Sequence, residues 1–278
     1  MRLYKYWALP AIVAALSATD VTGQHSLEKL WETESIIQVP ESVLYDGDQK
    51  VLYVSQIDGK GGERDGKGGI AVLTPDGKVK NLDWITGLNA PKGLGKYKGK
   101  LYIADLDEVV VADIKSGKIL SKIKVPDAKF LNDVTVDKAG NVYVSDSQTK
   151  NIHLIKNDAS SVYFVSAERP NGVLALGSDL LVLDAGALYR VGKDKKAVKL
   201  AEGMEKSTDG IEEVKPGEYI VSCWAGVVYY VTAKGEVTQL LDTRGSSTNS
   251  ADIGYDAKKK IVYVPTFAKN SVVAYQLK

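Results

Sequence analysis

The chain has 278 residues, 44% hydrophobic and 26% charged, the make-up of a globular protein with a sizeable core rather than of a disordered chain. Its 36 basic and 35 acidic side chains leave a formal net charge of +1, with no basic block able to neutralise a phosphate backbone, so nucleic acid is not an expected partner. The single cysteine, Cys223, excludes an internal disulfide, and His25 and His153 are the only histidines that could serve it as a base.

Residues 1–24 carry Arg2 and Lys5, then an apolar run from Trp7 to Ala18, then small and polar residues at Thr22, Gly23 and Gln24. These are the three parts of a secretory signal peptide, with an uncleaved signal anchor as the alternative. The apolar run is shorter than the ~20 residues of a transmembrane helix, and no later segment qualifies. The expectation is a signal at 1–24, one domain at 25–278, a periplasmic or secreted location and no stable membrane span after cleavage.

Beyond the signal, apolar and polar residues alternate in short runs broken by Gly, Asp, Asn and Lys, and no amphipathic helix is evident. The apolar segment Leu30 to Ile37 stands alone before the first of six similar units. Those units open at Glu41, Lys92, Asn132, Asn171, Asp209 and Asp252, with separations of 51, 40, 39, 38 and 43 residues. A period of roughly 40 residues holding about four short strands is that of propeller blades. The long first spacing is explained by a Gly- and charge-rich insertion, Asp58 to Gly69, which reads as a flexible loop. The last unit offers only three strands. The predicted fold is therefore all-β, a six-bladed β-propeller closed by the N-terminal strand, which completes the last blade and removes open sheet edges.

In a propeller, equivalent positions of the blades meet around a central channel although they are distant in sequence. That ring is expected to hold Glu41, Asn132, Asn171, Asp209 and Asp252, with Lys92 as its one cation. Carboxylate and amide oxygens without cysteine or histidine suit calcium, and less well magnesium or manganese. The competing explanation is conformational, since Asn171-Gly172 and Asp209-Gly210 are also turn formers. Trp224 and Phe267 follow inner strands and read either as core residues or as edges of the pocket.

The segments Phe130-Leu131-Asn132-Asp133-Val134, Arg169-Pro170-Asn171-Gly172, Thr208-Asp209-Gly210-Ile211 and Trp224-Ala225-Gly226-Val227 resemble successive blades of the SMP-30/gluconolactonase/LRE family. The resemblance implies that Glu41, Asn171 and Asp209 hold a divalent cation, usually calcium, and that Asn132, followed by Asp133, faces metal or substrate. The family's arginine in the Asn132 segment falls on Phe130, and Glu41-Ser42-Val43 replaces its usual Glu-Gly-Pro.

Two functions follow. One is a cation-dependent hydrolase of a lactone or related ester, with Asp209 or Asp133 assisting a water and Asn132, Lys92 and Asp252 contacting the small-molecule substrate. The other is a non-catalytic propeller that binds a small ligand or an envelope protein partner, with at most a structural ion.

Overall fold

The computed structural model describes residue 1, residues 25–246 and residues 248–278; the expected signal, apart from Met1, lies outside the described residues. β1 (Leu27–Glu32) precedes the first blade, formed by β2 (Pro40–Asp46), β3 (Val51–Gln56), β4 (Gly68–Leu73) and β5 (Val79–Leu88). The second blade holds β6 (Pro91–Tyr97), β7 (Lys100–Asp105), β8 (Glu108–Asp113) and β9 (Ile119–Lys124). The third holds β10 (Leu131–Val136), β11 (Val142–Asp146), β12 (Asn151–Lys156) and β13 (Ala159–Val165). The fourth holds β14 (Pro170–Leu176), β15 (Asp179–Asp184), β16 (Ala187–Val191) and β17 (Ala197–Ala201). The fifth holds β18 (Thr208–Lys215), β19 (Glu218–Cys223), β20 (Val227–Val231) and β21 (Val237–Asp242). The sixth holds β22 (Gly254–Asp256), β23 (Ile261–Pro265) and β24 (Val272–Leu277), with β1 as its fourth and outermost strand.

Every sheet is antiparallel, five of them as meanders and the sixth completed by β1, and the period-2 alternation of the middle strands distributes side chains to the two neighbouring blades. In β7, Leu101 and Ile103 pack with Tyr53, Ile70 and Val72 of the first blade, whereas Tyr102 and Ala104 pack with Val134, Val142 and Val144 of the third. Middle strands are therefore covered on both faces, which is why β3 and β4 are buried throughout, while outer strands such as β9 and β13 are largely exposed. Cys223 belongs to this core, and burial pushes its thiol far above the usual range, which leaves it inert.

The ring closes as expected, with a change of register along the chain. The closing strand is Leu27–Glu32, pairing Leu27 with Leu277 and Glu32 with Val273, rather than Leu30 to Ile37. Ile37 lies beyond it in a bend, fully buried with Val43, Leu52, Tyr263 and Val272. Its apolar signal thus comes from plugging the seam between first and last blades. Of the insertion Asp58 to Gly69, the last two residues open β4 and the rest forms the connection from β3, pinned to the second blade by an Arg64 Nη2 to Asp107 Oδ1 ion pair of 2.6 Å.

Candidate functional site at the channel mouth

The six phase markers sit at the openings of the inner strands, where the backbone is irregular in a repeated way. Pairing between first and second strands slips between Pro40 and Val43, Pro91 and Leu94, Leu131 and Val134, Pro170 and Val173, and Thr208 and Ile211. Two residues bulge out of the ladder in each of these five blades, and the first of the two is the marker. In three of them a second-strand serine takes up the freed backbone N–H: Ser42 to Ser55 Oγ, Asp133 to Ser145 Oγ and Gly210 to Ser222 Oγ, each 2.9 Å. The glycines after the markers do not serve turns. A Cβ at Gly172 would lie 2.1 Å from the Asp209 carbonyl oxygen and one at Gly210 2.5 Å from the Ile253 nitrogen. Adjacent inner strands approach too closely there for any side chain.

A second repeated device fixes the segment entering each inner strand. Asp105, Asp146 and Asp184 end the second strands of blades two to four, fully or almost fully buried. Asp105 accepts from the N–H groups of Asn89 and Ala90, and Asp146 from those of Lys129 and Phe130. Asp184 accepts from Ser166 Oγ and from the N–H groups of Ala167, Glu168 and Arg169. Charge-assisted bonds of this kind hold Lys92, Asn132 and Asn171 at a defined height on the channel.

Glu41, Lys92, Asn132, Asn171 and Asp209 line one cavity of about 280 Å³ at the channel mouth. Asn171 Nδ2 donates to Asp209 Oδ1 at 2.8 Å, and Asn132 Nδ2 to Ser147 Oγ at 3.0 Å. Glu41 Oε2 and Asn171 Oδ1 are buried and have no hydrogen-bond partner among the described residues. The insertion contributes Gly61 to the wall, and the aromatic side chains of Phe130, Trp224 and Phe267 complete it. Trp224 and Phe267 meet edge to face with centroids 5.5 Å apart, so both are pocket-edge residues, and Trp224 is 44% exposed.

Asp252 and Asp133 are not brought to that mouth. Both line a second cavity of about 200 Å³ with Glu212 and Lys96. Asp252 Oδ2 accepts from Ser42 Oγ, and its backbone bridges Ser42 of the first blade. Asp133 Oδ1 accepts from the Val134 N–H at 2.6 Å and Oδ2 from the Val173 N–H at 2.7 Å, so both its oxygens are engaged by backbone.

The buried acids act on one another. Burial, reinforced by the charge of Asp209, pushes Glu41 well above the carboxylate range, with Lys92 opposing. Burial together with Asp133 pushes Asp209 up to about 8, against its bond from Asn171. Burial also raises Asp133 to about 7 and Glu212 to about 8. Such a set gains from any cation that enters.

Lys92 is not the one cation. Arg169 and Lys206 also line the mouth, from the loops preceding β14 and β18. Lys92 itself is buried, donates from Nζ to the Ala90 carbonyl at 3.0 Å and lies 4.4 Å above the centre of the Phe130 ring. A lysine of the second blade is thus seated on the aromatic ring that immediately precedes the third. Arg169 and Lys206 could have been sought at two and three residues before their markers. His25 stacks on Tyr230 and His153 is buried on β12, so neither is among the residues lining the mouth.

These features define the class: a six-bladed β-propeller with an oxygen-rich pocket at its channel mouth. No family model matches the chain, and no curated protein aligns with it. Among solved structures it is similar to a streptogramin B lyase, at 14% identity and TM-score 0.65 over 92% of this chain and 98% of that one. It is similar also to a protein of unknown function from Bacteroides thetaiotaomicron, at 11% identity and TM-score 0.70 over 92% and 76% of the two chains. A third is a catalytically inactive histidine-to-alanine virginiamycin B lyase from Staphylococcus aureus with quinupristin, at 14% identity and TM-score 0.64 over 92% and 100%. At these identities the likeness is one of fold.

Proposed function

We propose that the channel mouth binds a divalent cation, calcium before magnesium or manganese, and that with it the protein hydrolyses a lactone or related ester, as in the SMP-30/gluconolactonase propellers it resembles. The observation that carries this reading is the pair of buried, unpartnered oxygens, Glu41 Oε2 and Asn171 Oδ1, in one cavity with Asp209. Leaving such atoms unsatisfied costs about 1–3 kcal/mol each, so the arrangement calls for a ligand.

The donor set fits the ion. Among the described residues no three His, Cys, Asp or Glu side chains group as metal ligands, and the set here is two carboxylates and an amide. Hard oxygens of this kind suit calcium. When bound, a divalent cation polarises a carbonyl oxygen and stabilises the charge that develops on it. The chain's residues do the rest. Asn171 keeps its carbonyl end toward the cavity because its amide nitrogen is tied to Asp209. Asp209 orients the attacking water, accepts its proton as the new C–O bond forms, and returns that proton to the alkoxide oxygen that departs when the ester C–O bond breaks. Asn132, held by Ser147, and Lys92 contact the substrate. Asp133 and Asp252 serve as positioning residues, Asp133 by binding the Val173 N–H two residues beyond Asn171.

The leader-like residues 1–24 support a place in the periplasm or outside the cell, and no described helix is long and apolar enough to cross a membrane.

Calcium titration of the wild type and of Asp209→Ala, followed by assay on a panel of lactones and aryl esters, tests the reading. Calcium binding that Asp209→Ala abolishes, with calcium-dependent turnover, supports it. Binding without turnover favours the non-catalytic module, and absence of both discards the hydrolase.

A further inference from the structure

The mouth carries positive charge that a bound cation does not need. Lys92, Arg169 and Lys206 line it, and among the described residues none of the three forms an ion pair with an acidic side chain. Elsewhere the protein places lysines directly on acids, as in Lys96 on Asp46 at 2.6 Å and Lys122 on Glu108 at 3.0 Å. At the mouth it does not, although Glu41 and Asp209 are there. Lys92 is the informative member, because it is buried, uses one donor on the Ala90 carbonyl and rests its charge on the Phe130 ring. Burying an ammonium group with donor capacity to spare is costly, and an anion entering the cavity offsets that cost. Once a divalent cation neutralises Glu41 and Asp209, the remaining side chains leave the pocket net positive. The same pocket exposes apolar surface on Trp224, Phe267 and Phe130. At about 280 Å³ it is at the small end of ligand pockets, with room for a monocyclic ligand.

We infer that the substrate is an ester or lactone bearing a carboxylate beside an apolar ring, the carboxylate held by Lys92 and Arg169 and the ring by Trp224 and Phe267. This rests on the mouth being the functional site, and it departs from a neutral polyhydroxylated substrate. Arg169 offers a planar fork that matches a carboxylate, whereas Lys92 offers a point charge deeper in the pocket.

The test is calorimetric binding of phenylacetate and of its uncharged isostere phenylacetamide, with and without calcium. Wild-type protein binds the carboxylate at least ten-fold more tightly than the amide. Lys92→Met and, separately, Arg169→Gln each reduce that preference at least five-fold, and Trp224→Ala weakens both ligands alike. Arg169 is exposed, so its substitution leaves the fold intact even where Lys92→Met does not. Equal affinity for the two compounds overturns the inference, as does a preference that survives in both cation variants, which would assign it to calcium instead. Calcium affinity measured in the same samples separates the claims: without calcium binding the hydrolase reading falls while a variant-sensitive preference keeps the anion subsite.

Discussion

Asn171 donates its side-chain nitrogen to Asp209 Oδ1 at 2.8 Å, across the seam between the fourth and fifth blades, and thereby fixes which end of its amide faces the cavity. The carbonyl oxygen left over is buried without a partner, so the bond makes Asn171 an acceptor-only wall of the pocket. Asn171→Ala is expected to lower calcium affinity by at least ten-fold in a calorimetric titration. Wild-type protein is expected to gain stability from calcium, about 2.7 kcal/mol at a hundred-fold excess over Kd. A thermal midpoint that does not move with calcium contradicts the donor set.

Gly172 follows that asparagine, and its role is the close approach of the two inner strands. A Cβ there would lie 2.1 Å from the Asp209 carbonyl and 2.8 Å from Leu183 Cδ1. Gly172→Ala must push backbone from backbone, with a stability loss of at least about 2 kcal/mol by urea unfolding. A neutral result would show that the channel is wider than described.

Asp184 accepts four hydrogen bonds that tie down the approach to Asn171. Asp184→Ala removes the acceptor of the buried Ser166 hydroxyl and of three partly buried backbone N–H groups, and is expected to lower stability by roughly 2 kcal/mol. Calcium affinity is expected to fall as well, although Asp184 is not among the residues lining the mouth. Asp184→Asn restores part of the stability, because its carbonyl oxygen still accepts; equal losses in both variants would deny the capping role.

The closing strand answers to acid. Burial alone would raise the Glu32 carboxyl, but hydrogen bonds from Lys269, Lys29 and Ser271 outweigh it and hold it at about 2, against 4.5 for a free glutamate. A lowered folded-state value contributes stability that is complete above the unfolded value and disappears as pH falls from about 4.5 through about 2. Because its lysine partners are partly solvated, the contribution is on the order of 1–2 kcal/mol. Glu32→Gln should lower the thermal midpoint at pH 7 and have only a small residual effect at pH 2, where the folded-state carboxyl is about half protonated.

Deleting residues 27–32 removes the outer strand of the last blade. The expected effect is a fall of more than about 10 °C in thermal midpoint, with exposure of the β24 edge to self-association. A midpoint within a few degrees of the intact protein would mean that the ring holds without its closing strand.

The architecture was readable because a 40-residue repeat survives in turn residues and in the markers, which sit at one geometric phase. Five markers reach the mouth for that reason. Asp252 does not, since its blade has the shortest inner strand, Gly254–Asp256, and its carboxylate turns to Ser42. The serines at 55, 145 and 222 went unnoticed because each looks like an ordinary polar position in an alternating strand, and only the bulge opposite gives it a task. Arg169 and Lys206 were missed for another reason: they lie in irregular loops, where periodicity says nothing about direction. The reading of Gly172 and Gly210 as turn residues failed on a tertiary fact, the nearness of a strand some 40 residues away.

Residues 27 and 277 are paired, and the last backbone N–H, that of Lys278, bonds to the Ser26 carbonyl at 3.0 Å. Contacts between residues roughly 250 positions apart close the longest loop among the described strand pairings, so this clasp carries the greatest loop-closure entropy of any of them. The cavity shared by Glu41 of the first blade and Asp209 of the fifth thus depends on a circle whose two ends are fastened by backbone hydrogen bonds.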